Sequence, residues 1–169
     1  GNDPASELYV GIKTKKASEY GISTQLVRLD ESSKSDEICQ AIQKLNDDVT
    51  INGIIVQLPL PESINTEIIL DTISPKKDVD NLTGADYFVS PMVQSVEALM
   101  NCYKIDIKDK KICVVGQGRL VGQPIVRWLK RMRSQPIVIE SADTFDNTIV
   151  LDSDIIIAGT GSKHIINLS

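Results

Sequence analysis

Short apolar runs alternate along this chain with longer segments in which apolar residues recur every three or four positions. TQLVRL (24–29), GIIVQL (53–58), ICVV (112–115), PIVIES (136–141) and the isoleucines of DSDIIIAGTGS (152–162) have the length and β-branched content of strands. Between them lie helical patterns. Residues 6–20 predict a helix with Asp3 or Ser6 as N-cap and Gly21 as its stop. Residues 35–46 place Ile38, Ile42 and Leu45 on one helical face behind a Ser35 cap. Residues 65–73, 92–103 and the segment from Gly122 onward predict three more helices. This alternation predicts an α/β fold with parallel-rich sheets. Right-handed crossovers gather the carboxyl ends of such strands on one edge, where ligands bind. Two lobes are expected, residues 1–85 and 86–169, the second Rossmann-like, with a cleft between them. The chain opens at GNDPAS without a methionine and closes at HIINLS just after a strand-like run. Each lobe is therefore expected to be incomplete at its outer end.

Composition narrows the function classes. Hydrophobic residues make up 41% and charged residues 24%, the balance of a soluble globular protein. A net charge of −5 argues against nucleic acid as the main ligand, and the basic run Lys130, Arg131, Arg133 reads as a solvated helix face. Three dispersed cysteines and one histidine argue against both a zinc site and a disulfide framework, so no metal is expected. Cys113, inside ICVV, reads as a core thiol. No segment has the length and apolarity of a membrane span or the pattern of a signal peptide, so a reducing cytoplasm is the expected location.

Several residues break the patterns they sit in. Gln57 ends the apolar run GIIV and precedes LPLP, and a buried amide there must find partners. VVGQGRLVGQP (114–124) puts Gly116, Gly118 and Gly122 between a strand and a helix, the arrangement that turns amide N–H groups and a helix N-terminus toward a pyrophosphate. Its GxGxxxG spacing is one residue longer than the common fingerprint, and a tight turn that binds nothing is the competing account. Glu140, at the end of the next strand, suits the ribose hydroxyls of NAD. No Arg or Lys follows it in 140–143 to meet the 2′-phosphate of NADP. Tyr9 and Lys13 leave one face of the first helix, either as an exposed surface pair or as a proton-relaying lysine beside an aromatic ring. Asp78-Val79-Asp80 offers carboxylates that could grip a donor-rich heterocycle, or simply a solvated turn.

DPASELYVGIK (3–13), GIIVQLPLP (53–61), KKDVDNLT (76–83) and VVGQGRLVGQP, in that order, resemble the methylenetetrahydrofolate dehydrogenase/cyclohydrolase family over nearly the whole chain. The resemblance implies NAD(P)-dependent oxidation of 5,10-methylenetetrahydrofolate to the methenyl form, then hydrolysis to 10-formyltetrahydrofolate, in one-carbon metabolism. It implies that Lys13 is the catalytic lysine, that Gln57 bonds and tunes it, and that Tyr9 packs against the folate. Ser6 lines the same cleft, and Asp80 holds the pterin ring. Gly116, Gln117, Gly118, Arg119 and Gly122 fall on the cofactor turn, Ser141 lies near the adenosine ribose, and Glu140 and Gly161 complete the cofactor set. A homodimer is implied as well.

The chain departs from the family pattern in several places. Gln117-Gly118 stands where relatives have Arg-Ser, and Ser90-Pro91-Met92 where relatives carry a cleft threonine. Only ten residues separate Asp80 from Pro91, a shortened loop. Two other readings stay open beside the bifunctional enzyme: a weakened homologue that binds folate or nucleotide, and a Rossmann-type dehydrogenase for another small substrate.

Overall fold

The computed structural model describes residues 4–140 and 147–160, and its contacts divide the chain into two units, Gly1–Val79 and Asp80–Ser169.

The first unit is mainly helical. α1 (Pro4–Glu19) begins on a proline, which lacks the N–H that a first turn leaves unsatisfied, and gives way to Gly21 in a left-handed conformation. Ser6 lies inside α1 and so is not its cap, while Asp3 lies outside the described residues. α2 (Ser35–Asp47) buries Ile42, with Ile38 and Leu45 half-buried beside it. Its N-cap is Lys34 rather than Ser35, and Glu37 accepts the Lys34 N–H at 2.9 Å. α3 (Thr66–Asp71) is capped by Asn65, whose Oδ1 accepts the N–H groups of Glu67 and Ile68, and it buries Ile69 and Leu70.

The two strands expected in this unit are largely absent. Residues 24–29 join no ladder among the described residues; Arg28 instead pairs with Glu7 of α1. In 53–58, only Ile54 pairs, through one parallel bridge to Asp78 in which its N–H donates to the Lys77 carbonyl at 2.7 Å. A strand exists only where a neighbour supplies ladder bonds, and local apolar pattern does not guarantee that neighbour.

Lys77 anchors this region. Its Nζ donates to the carbonyls of Leu45, Asn46 and Asp48 at 2.9, 2.7 and 2.7 Å, satisfying the open C-terminal end of α2. Asn46 adds a clamp, donating to the Thr72 carbonyl and accepting the Ser74 N–H.

The second unit is the parallel α/β body that the alternation predicts. α4 (Pro91–Tyr103) starts behind Ser90, whose Oγ accepts the Met92 N–H. β1 (Ile112–Val115) leads into α5 (Gly122–Arg131), β2 (Ile137–Ile139), a short α6 (Asn147–Leu151) and β3 (Ile155–Ala158). The sheet order is β2-β1-β3, all parallel. Every residue of β1 is buried, because both sheet faces are covered. Ile112 and Val114 pack with Val93 of α4 and with Ile125, Val126 and Leu129 of α5. Cys113 and Val115 pack with Ile139 and with Val150 of α6 on the opposite face. Burial pushes the Cys113 thiol above its ordinary pKa, as suits a core thiol. Lys130, Arg131 and Arg133 are exposed, as a solvated helix face requires, and Arg131 in addition pairs with Asp86. No helix among the described residues is long and apolar enough to cross a membrane.

Candidate functional site

In the second unit, β1 is followed by α5 on one face and β2 by α6 on the other, so the strand order reverses between β1 and β3. In open parallel sheets, ligands bind at the strand carboxyl ends beside such a reversal. Gly116 and Gly159 end the two strands that flank it. Gly159 donates to the Val115 carbonyl at 2.8 Å, and Gly116 to the Ile139 carbonyl at 2.7 Å.

Three glycines interlock at this point. Gly116 has φ +91, and a Cβ there would meet the Gly159 carbonyl oxygen at 2.8 Å. A Cβ on Gly122 would stand 1.8 Å from the Gly116 carbonyl oxygen, and one on Gly159 would stand 2.4 Å from Val121 Cγ1. Gly118 is different: an added Cβ would come no nearer than 3.9 Å to the Gly159 oxygen. The lock brings the first turn of α5 against the strand ends, and the cap position, Val121, offers no side-chain hydrogen bond. A Gly118 that would accept a Cβ without a clash among the described residues and an α5 N-cap with no side-chain hydrogen bond fit a nucleotide pyrophosphate.

The other residues expected at the turn differ in their surroundings. Gln117 bonds the same end of the sheet, its N–H to the Glu140 carbonyl and its Nε2 to the Gly116 carbonyl. Glu140 follows β2 with its side chain exposed. Arg119 is half-buried and donates from Nη1 to the Leu82 carbonyl at 3.1 Å. Ser141 and Gly161 lie outside the described residues.

In the first unit, Tyr9 and Lys13 share one face of α1, and both are exposed, Tyr9 by 58%. Ser6 is half-buried in the first turn of the same helix. Gln57 is half-buried, and its amide nitrogen donates to the adjacent Leu58 carbonyl at 2.8 Å. Its Oε1 is buried and makes no hydrogen bond with the described residues. An acceptor left in that state is costly unless a donor arrives, and an ammonium group is a suitable one. Asp80 is half-buried at the start of the second unit.

Comparison with known proteins adds a second line of observation. Residues 1–80 match the model of the tetrahydrofolate dehydrogenase/cyclohydrolase catalytic domain, and residues 90–169 match that of the NAD(P)-binding domain. The chain belongs to the tetrahydrofolate dehydrogenase/cyclohydrolase family. Among curated relatives, the bifunctional protein FolD of Chlamydia pneumoniae is 36% identical over 96% of this chain, and that of Lactobacillus acidophilus 33% over 98%. The chain spans 62% of the length of each. Among solved structures, the bifunctional FolD of Campylobacter jejuni superposes with a TM-score of 0.88 at 31% identity, covering 95% of this chain and 61% of that one. The Trypanosoma brucei FolD, complexed with NADP and an inhibitor, gives 0.89 at 26% identity over 98% and 60%.

Within this family member, several structural partners of the turn carry no local sequence signal. Gly159 and Val121 complete the glycine lock, yet only the glycine-rich end of the last strand hints at the first of them. Asp86, on the segment between the two family models, reaches α5 through Arg127 and Arg131, 41 and 45 residues further along the chain. Met92 sits in the first turn of α4 and is 37% exposed.

Proposed function

We propose that this chain carries the reaction centre of an enzyme that oxidises 5,10-methylenetetrahydrofolate and hydrolyses the 5,10-methenyl product to 10-formyltetrahydrofolate. The strongest support is the family match across both units, in a chain that carries Lys13, Gln57 and Asp80 and also builds the glycine lock. The two proposed functional lobes are a folate-binding catalytic lobe, residues 1–85, and a nucleotide-binding lobe, residues 86–169.

The nicotinamide nucleotide, when bound, supplies the acceptor for a hydride leaving the methylene carbon. Gly116, Gly118 and Gly122 give its pyrophosphate a backbone surface at the α5 N-terminus, with Gln117 and Arg119 alongside. Glu140 accepts the ribose hydroxyls, and Ser141 and Gly161 belong to the same cofactor set. An acid at the end of β2 and glutamine at position 117 favour NAD over NADP.

In this reading Asp80 receives paired N–H bonds from the pterin, and Tyr9 and Ser6 belong to the folate-binding set. Lys13 takes a proton from the water that adds to the bridging carbon. It returns a proton to N5 as the carbon–N5 bond opens, leaving the formyl group on N10; overall one water is consumed and one proton released. The buried Gln57 Oε1 is a fitting acceptor for the Lys13 ammonium in this cycle. A homodimer and a cytoplasmic location, both implied by the family resemblance, belong to the same proposal.

A second reading, folate or nucleotide binding without turnover, draws on the exposure of Tyr9 and Lys13 and on Met92 in place of threonine. The two part on one assay. Methylenetetrahydrofolate is offered with NAD or NADP at equal concentration and nucleotide reduction is followed. Faster reduction of NAD is expected; a faster rate with NADP overturns the cofactor assignment, and no reduction with either favours the binding-only reading.

A further inference from the structure

Asp80 opens a short loop of the second unit that is fastened to α5 and to the glycine turn. Asn81 and Asp86 both adopt left-handed conformations, φ 55 and 56, and close the loop on itself. Asn81 Oδ1 accepts the Asp86 N–H at 3.0 Å, while Asn81 Nδ2 donates to Asp86 Oδ1 at 2.6 Å. The second carboxylate oxygen of Asp86 faces α5, where Arg131 donates to it and Arg127 Nε stands 3.4 Å away. That approach of Arg127 is a charge contact without hydrogen-bond geometry, since Nε is buried with no hydrogen-bond partner. Gly84 lies against the same guanidinium, with 3.5 Å from an added Cβ to Nη2. Between these points, the buried Leu82 offers its carbonyl to Arg119 of the glycine turn.

The loop is thus tied to the middle of α5 and to the turn before it. The Asp86 side chain is only 16% exposed and shares its charge between two guanidinium groups, so it is not an ordinary solvated surface pair. Removing its charge would take away the carboxylate that the buried Arg127 Nε faces, and with it the loop's charged tie to the middle of α5.

We propose that Asp86 is a positioning residue, which through Arg127 and Arg131 holds the loop that presents Asp80 to the folate. The inference rests on the reading of Asp80 as the residue that holds the pterin. A purely structural Asp86 would lower stability and affect both substrates alike. A positioning Asp86 affects the folate selectively.

Asp86→Asn is the test. Asparagine tolerates the left-handed backbone and keeps an acceptor for Asn81, but it carries no charge. KM for methylenetetrahydrofolate is expected to rise about tenfold, while KM for the nucleotide stays within about twofold and kcat changes little. Should Asp86→Asn fail to fold, Arg131→Gln removes the more exposed half of the cluster and carries the same expectation. Equal rises in both KM values, or a folate KM within twofold of the parent, overturns the proposal. If the parent chain itself turns over no folate, the functional reading fails and takes this inference with it. An active parent with an unaffected variant sinks the inference alone.

Discussion

Gly122 lies so close to Gly116 that a Cβ on Gly122 would stand 1.8 Å from the Gly116 carbonyl oxygen. Helix and strand end share one backbone contact surface there, and no rotamer change can relieve a clash between main-chain atoms. Gly118, two residues beyond Gly116, has no such neighbour.

Gly122→Ala is therefore expected to destabilise the second unit by roughly 1–3 kcal/mol or more and to abolish nucleotide binding, because the strand end and α5 must separate. Gly118→Ser is expected to leave the melting temperature within about 2 °C of the parent. Thermal unfolding and nucleotide titration on the two variants check both statements. Equal tolerance of the two substitutions would contradict the lock.

Lys77→Met keeps most of the aliphatic stem and removes the ammonium that caps α2 through three carbonyls. Hydrogen bonds from a charged donor are each stronger than neutral ones, and the carbonyls of a helix end need partners. A loss of about 1.5–3 kcal/mol in urea unfolding is expected. A midpoint indistinguishable from the parent would show that water replaces the lysine without cost.

Asp48 gives a pH signature. Its carboxylate accepts the Thr50 hydroxyl at 2.6 Å and the Thr50 N–H at 2.8 Å, and these bonds, the hydroxyl first, hold it below its ordinary pKa. A depressed folded-state value means that the contribution is complete above the ordinary carboxylate range and is lost as pH falls through the folded value. Asp48→Asn should thus melt below the parent by a constant interval from about pH 5 to 7, and the interval should close in stronger acid. An interval that widens in acid would reverse the sign and refute the assignment.

The elements most legible in the sequence were those whose burial is local and two-sided. ICVV reads as a strand because both sheet faces are covered, so no residue in it needs to be polar, and β1 bears that out. The runs at 24–29 and 53–58 have the same apolar look, yet one forms no ladder and the other a single bridge, because pairing depends on a distant partner. The glycine turn was visible by spacing, but spacing does not tell the obligatory Gly116 and Gly122 from the permissive Gly118; that difference lies in contacts with Gly159 and with each other. Arg131 looked like one charge in a solvated basic run. Its partner, Asp86, is 45 residues away on a loop with no periodic pattern.

Lys13 carries the central claim, and the hydrolysis of 5,10-methenyltetrahydrofolate measures it without any nucleotide present. The parent chain is expected to bleach the absorbance of the methenyl compound above the spontaneous rate. Lys13→Ala, on an exposed helix face where folding is undisturbed, is expected to slow that bleaching about a hundredfold or more. Hydrolysis by Lys13→Ala at the parent's rate, or a parent no faster than buffer, would contradict the account.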